Sequence, residues 1–220
     1  MEKKIAVGID LNGPKNPSAV AVLKGNQIYF DEWMYEESGN LMLPESASVI
    51  AIDGPMGFSE KPGQFRECER ELGTPGKTYY SLDECRKPFL QLIEASTKLF
   101  WNLHRKGYRL YGLEENAGIT LIEVWPLSGW RALFKPELKS RRYIPGGKGS
   151  LQGQRFMRNA IEKLGYKFTT VNPSAHHLDA AMAAITAQYF SEGKFERFGK
   201  KPRIDEVNKC IREGYIVAPE

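Results

Sequence analysis

Residues 4–35, KIAVGIDLNGPKNPSAVAVLKGNQIYFDEWMY, decide the fold. KIAVGIDL (4–11) is a short apolar run that ends in an aspartate, the pattern of a buried strand. NGPKNP (12–17) is dense in turn formers. SAVAVLKG (18–25) predicts a second strand, Gly25-Asn26 a tight turn, and QIYFDEWMY (27–35) a third strand. Three strands with short connections form a meander, and a meander is antiparallel. Its first strand delivers one carboxylate, Asp10, at the end of a buried run.

Outward from the meander the pattern changes. SVIAIDGP (48–55) is a second apolar run closed by an acid, Asp53. Residues 56–87 are irregular, with a predicted short helix over 63–72. RKPFLQLIEASTKLFWNLHRKG (86–107) has Phe89, Leu92, Ile93, Leu99, Phe100 and Leu103 at helical spacing and Gly107 as a stop. GITLIEVWP (118–126) predicts a strand, residues 127–150 a basic loop, LQGQRFMRNAIEKLG (151–165) a helix and YKFTTV (166–171) a short strand. Asn172 as N-cap and Pro173 at the first helical position then start the helix HHLDAAMAAITAQYF (176–190). FERFGKKPR (195–203) looks like a charged surface tail, and EGYIVAP (213–219) an extended piece packing back. The order predicts an α/β fold. A mixed sheet, antiparallel in its meander and parallel beyond it, would carry helices on both faces, in a single domain over residues 1–220 with insertions near 56–87 and 127–150.

Composition sets limits on function. Hydrophobic residues make up 41% and charged residues 26%, the balance of a globular chain, and the net charge of +4 permits nucleic acid as a partner without demanding it. Three cysteines, Cys68, Cys85 and Cys210, widely spaced and without a C-x-x-C pair, argue against a disulfide framework or a cysteine zinc site and for a reducing cytoplasm. No apolar stretch approaches a membrane span, so no membrane partner is expected.

A carboxylate at the end of a buried strand is costly unless it is solvated, hydrogen-bonded or bound to a cation. Asp10 and Asp53 stand at such ends, and Glu123 lies inside the apolar run ITLIEVW, where an edge position, an arginine partner or a metal would account for it. In the late helix, Leu178, Met182, Ile185 and Tyr189 form one apolar stripe, with Asp179 at its border and His176 on the same side. His177 falls on the other flank. Ala180, Ala183 and Ala184 allow this helix to approach the sheet closely, which would bring Asp179 to the strand-end acids. Several carboxylates and one imidazole at one point repel one another without a cation, and oxygen-rich sets with some nitrogen suit Mg²⁺ or Mn²⁺. Two such ions stabilise the attacking and leaving oxygens of a phosphodiester displacement.

The chain resembles the ribonuclease-H-like superfamily: strand-Asp, meander, strand-acid and a late helix bearing H-x-x-D. His176 to Asp179 followed by AAMAAITA is similar to the corresponding helix of Holliday-junction resolvases. VGIDLNG (7–13), AIDGPMGF (51–58), FRECERELG (65–73), IEVWP (122–126), HHLDAAMAA (176–184) and EGYIVAP (213–219) together resemble the family called domain of unknown function 429, whose members are regarded as nucleases. The resemblance implies a ribonuclease-H-like fold and a metal-dependent nuclease acting on DNA or RNA. Asp10, Asp53, Glu123 and Asp179 would be its acidic, metal-binding site, with Asp10 bridging two Mg²⁺ or Mn²⁺ ions. His176, as ligand or proton-transfer helper, comes from the resolvase-type motif alone. The piece at 65–73 departs from the family's spacing, and no role is carried to Arg66 or Cys68.

Arg131, Lys135, Lys139, Arg141, Arg142 and Lys148, interleaved with Trp130, Phe134 and Tyr143, suit a nucleic-acid groove, cations for phosphates and rings for bases. Of these, Arg131, Arg141, Arg142 and Lys148 are the candidate nucleic-acid contacts. PGGKGS (145–150) is not a phosphate loop, because Gly149 rather than Ser or Thr follows Lys148, although a phosphate at the start of helix 151–165 fits. Two rival readings keep the fold and change the function. One is a kinase- or ATPase-like nucleotide binder, since residues 7–23 resemble the first phosphate turn of sugar kinases. The other is a non-catalytic binding module.

Overall fold

In a computed structural model the protein is described over residues 5–35, 44, 46–113, 118–134, 144, 146–170 and 172–220. Strands β1 (Ile5–Asp10), β2 (Ser18–Lys24) and β3 (Gln27–Trp33) form the antiparallel meander that the opening stretch predicts. β4 (Ala47–Asp53) runs parallel to β1, β6 (Thr120–Val124) parallel to β4, and β9 (Cys210–Pro219) parallel to β6. Two-residue strands β5 (Arg109–Leu110) and β7 (Lys167–Phe168) add to β6 and β3, and β8 (Phe195–Asp205) closes the far edge. Among the described residues the sheet has nine strands, in the order β7-β3-β2-β1-β4-β6-β9-β8 with β5 beside β6. The protein is therefore α/β with a mixed sheet.

Side-chain alternation splits the sheet into two faces. Ile5, Val7 and Ile9 of β1, Ile50 and Ile52 of β4, and Leu121 of β6 pack with Leu99, Phe100 and Leu103 of helix α2 (Leu90–Arg105). Ala6, Ala51, Ile122 and Val124 pack on the other face with helix α5 (Ala175–Ser191). Helices α3 (Pro126–Leu133) and α4 (Leu151–Lys163) lie against α5, and short helix α1 (Glu67–Leu72) lies against β8 and β9.

α5 differs from the expected amphipathic helix. Leu178 to Ala187 are all buried, not only a stripe, because the sheet covers one side and α3 and α4 cover much of the other; a helix apolar all round is a core helix. Its N-cap is Ser174 rather than Asn172. The Ser174 hydroxyl accepts the His177 backbone N–H at 3.3 Å and lies 2.8 Å from the His177 ring, which assigns that histidine to a capping box.

Two further expectations are corrected. Residues 127–133, expected as part of the basic loop, are helical together with Pro126, expected as a strand end: Pro126 presets the first turn, and Gly129 lets α3 come close to Met182 of α5. Packing here overrides the breaker signals of Pro, Ser and Gly. Residues 195–203, expected as a surface tail, belong to β8. Their charges suit an exposed edge strand, and the register shifts between Lys200 and Arg203, where Pro202 removes a ladder donor.

α5 reaches β1 at Gly8. A β-carbon at that position would lie 2.1 Å from the Ala180 carbonyl oxygen and 2.2 Å from the Ala184 nitrogen, both backbone atoms. Replacing Gly8 by valine should therefore cost about 3 kcal/mol or more, read as a lowered denaturation midpoint. An unchanged midpoint would mean that the helix does not seat there.

Candidate active site

Asp10 and Asp53 close their strands side by side, paired in register across β1 and β4. Both continue the face that carries Gly8 and Ala51, so both side chains point towards α5. The approach at Gly8 brings Asp179, in the first turns of α5, to the same place. Asp10 and Asp179 are buried, and Asp53 keeps a partly exposed edge. Three of the four predicted acids are thus brought together.

The group is short of positive charge. Burial, then repulsion from Asp10 and Asp179, holds the Asp53 carboxyl well above the usual carboxylate range, with Asp10 as its hydrogen-bond partner. Burial likewise raises Asp179, against the opposing pull of Lys148 and Trp130. Trp130 of α3 donates its indole N–H to Asp179 Oδ1 at 3.0 Å, and the Lys148 ammonium pairs with Asp179 Oδ2. Lys148, a candidate nucleic-acid contact, stands among the acids, where their charges outweigh burial and raise its pKa. His176, exposed on α5, places Nδ1 2.6 Å from Asp10 Oδ2, and that bond raises its pKa.

Glu123 is not part of this group. In the β4–β6 register Asp53 pairs with Val124, and Glu123 pairs with Ile52, so Glu123 emerges on the α2 face. There Arg66 grips it through two bonds, Nη1 to Oε2 and Nη2 to Oε1, both 2.7 Å. The same guanidinium reaches Glu69 Oε1 from Nε at 3.2 Å and from Nη2 at 2.9 Å. Glu123 also accepts the Met56 N–H at 2.7 Å, tying down the turn that follows Asp53. Its burial was foreseeable from ITLIEVW, and an arginine partner was among the explanations open for it. Which face it takes depends on register. Arg66 had no assigned role from sequence, and nothing local in FRECEREL marks it as the partner of a residue 57 positions away.

Arg131 lies with its guanidinium over the Trp125 ring, 5.1 Å from the centroid. Arg141 and Arg142, with Lys135, Lys139 and Tyr143, lie outside the described residues.

The donor set of Asp10, Asp53, Asp179 and His176 fits a hard divalent cation in atom type and in charge, since three carboxylates face one ammonium. Among the described residues no three His, Cys, Asp or Glu side chains stand at metal-ligand spacing, and Lys148 supplies the nearby positive charge. Also among these residues, no helix is long and apolar enough to cross a membrane. Comparison with family models, with curated proteins and with solved structures gave no match to this chain.

Two outcomes follow from the electrostatics. A carboxyl with a raised folded-state pKa opposes folding once ionised: its cost is absent below the unfolded value near 4 and grows as pH rises through the folded value. In chelator-treated protein, Asp53→Asn should raise Tm by about 2–4 °C at pH 7, and the gain should vanish below about pH 4. A lower Tm at pH 7 would refute the charge deficit. Glu123→Gln, by contrast, turns one of the two oxygens that accept from Arg66 and Met56 into an NH₂ group set against a donor, and should lose about 1–3 kcal/mol in urea unfolding. Near-neutral stability would contradict the geometry of the pair.

Proposed function

We propose that the protein is a metal-dependent phosphodiester hydrolase of ribonuclease-H-like fold acting on DNA or RNA. The reading is carried by one observation: Asp10 and Asp53 end adjacent parallel strands in register, and Asp179 meets them from α5 in a cluster deficient in positive charge. The meander with parallel strands beside β1 supports the fold assignment, as does the acid-bearing late helix. The resemblance to the family called domain of unknown function 429 points the same way.

In this reading Asp10, Asp53 and Asp179 hold Mg²⁺ or Mn²⁺, and Glu123 leaves the ligand set. The bound cations would lower the pKa of a coordinated water and offset charge on the phosphate oxygens. Trp130 fixes the Asp179 carboxylate through its N–H. Lys148, which pairs with Asp179, would on leaving it meet a phosphate oxygen as a point charge. His176, protonated, would keep Nδ1–H on Asp10 and hand the Nε2 proton to the departing oxygen as the phosphorus–oxygen ester bond breaks, while the attacking water gives its proton to solvent as its oxygen bonds to phosphorus.

Asp10→Asn and Asp179→Asn should each abolish Mn²⁺-dependent cleavage of a mixed panel of single-stranded, duplex and junction oligonucleotides, a loss of about 10³-fold or more. His176→Ala should reduce it by about 10²-fold and flatten its pH dependence between about 6 and 8. Full cleavage by both aspartate variants would sink the mechanism. ATP turnover without cleavage would favour the kinase-like alternative.

A further inference from the structure

Parallel strands β4 and β6 end beside each other, and the chain leaves them in opposite directions. After β4 it reaches α2 on one face of the sheet; after β6 it passes through α3 towards α5 on the other. Such a divergence opens a crevice at the carboxyl ends of the strands, the usual place for a ligand in an α/β sheet. Two chambers occupy it here. On the α5 side a space of about 610 Å³ is lined by Asp53, Trp125, Lys148 and Asp179, and belongs to the site already described. On the α2 side lies a second cavity of about 220 Å³, and Asp53 and Trp125 line both.

The second cavity has a definite chemistry. Pro55, Phe89, Leu92 and Trp125 give it flat apolar walls. Its floor is the Arg66–Glu69–Glu123 group, two carboxylates against one guanidinium. A carboxylate oxygen accepts two hydrogen bonds. Among the described residues Glu123 Oε1 receives one, from Arg66, and Glu69 Oε2 receives one, from the Thr78 N–H at 2.7 Å. The floor therefore has acceptor capacity to spare beneath walls suited to a ring. A volume of about 220 Å³ gives room for a heterocycle.

We infer that this cavity receives an amino-bearing nucleobase of the substrate, whose exocyclic N–H groups meet Glu69 and Glu123 while its sugar-phosphate crosses Asp53 into the larger chamber. The inference rests on the hydrolase reading for its phosphate end and on the cavity alone for its base end. Reaching the cavity takes a base out of any stack, so the substrate is a single strand or an unpaired nucleotide, read by ring contacts and by its pairing edge.

Calorimetric titration tests the base end without any cleavable bond. Adenosine 5′-monophosphate, purine riboside 5′-monophosphate (which lacks only the amino group) and base-free ribose 5-phosphate are compared, each with Mn²⁺ present. The adenosine compound should bind about tenfold tighter than its deamino analogue, the worth of one or two hydrogen bonds to charged acceptors. Ribose 5-phosphate should bind weakest. Leu92→Trp, which fills the cavity from its half-buried rim, should remove these differences while its circular dichroism matches that of the native protein. Equal affinity for the three compounds, or full discrimination by a folded Leu92→Trp variant, would overturn the inference. Base discrimination without Mn²⁺-dependent oligonucleotide cleavage would retain the pocket and refute the hydrolase, and cleavage without discrimination would do the reverse.

Discussion

The candidate site depends on how near α5 comes to β1. The backbone of Ala180 and Ala184 fills the volume that any side chain at position 8 would need. This contact is available only because one partner has no β-carbon and the other is alanine-rich, and it sets the depth at which the helix lies on the sheet. Asp179 precedes Ala180 in the chain, and Asp10 follows Gly8 by two residues on the same face. Seating the helix against Gly8 therefore brings the two carboxylates together. The same packing that fills the core crowds the acids, and their repulsion is the cost.

Around that contact the protein treats its charges in two ways. On the α2 face Glu123 has a bidentate arginine, a backbone N–H and a buried setting, and burial still pushes its carboxyl up. On the α5 face Asp10, Asp53 and Asp179 share one lysine and one histidine, and Asp53 in particular remains poorly compensated. A paired buried charge specifies a structure, whereas an under-compensated cluster is what a cation-binding or proton-handling site requires. The turn Asp53-Gly54-Pro55-Met56 joins the two, because Asp53 belongs to the cluster while the Met56 N–H is held by Glu123. The Arg66–Glu123 pair thus anchors the segment that presents Asp53.

Much of this was legible in the residues. The meander followed from alternating apolar runs and turn formers, and Asp10 and Asp53 stood out as acids at the ends of buried strands. Asp179 followed from helical spacing and from the alanines that allow close approach. Less legible were features whose cause lies far away in the chain. Residues 126–133 carry local breakers yet form α3, because Gly129 fits against Met182 and Trp130 bonds to Asp179. The charged run at 195–203 is a strand because β9 pairs with it. That Lys148, a candidate nucleic-acid contact, also pairs with Asp179 is likewise a matter of the fold.

Glu123 marks the boundary most sharply. Its sequence context established that a carboxylate would be buried in a strand, and periodicity established that Asp10, Asp53 and Asp179 would lie at element ends suited to convergence. Which side of the sheet Glu123 would face was not contained in any local pattern. A strand's side chains alternate with a period of two, so the face follows from the register against β4, and a shift of one residue would have reversed it. That register is set by the packing of both faces at once, with α2 on one and α5 on the other. The same long-range packing decided that Arg66, and not a cation shared with the aspartates, would be the partner of Glu123.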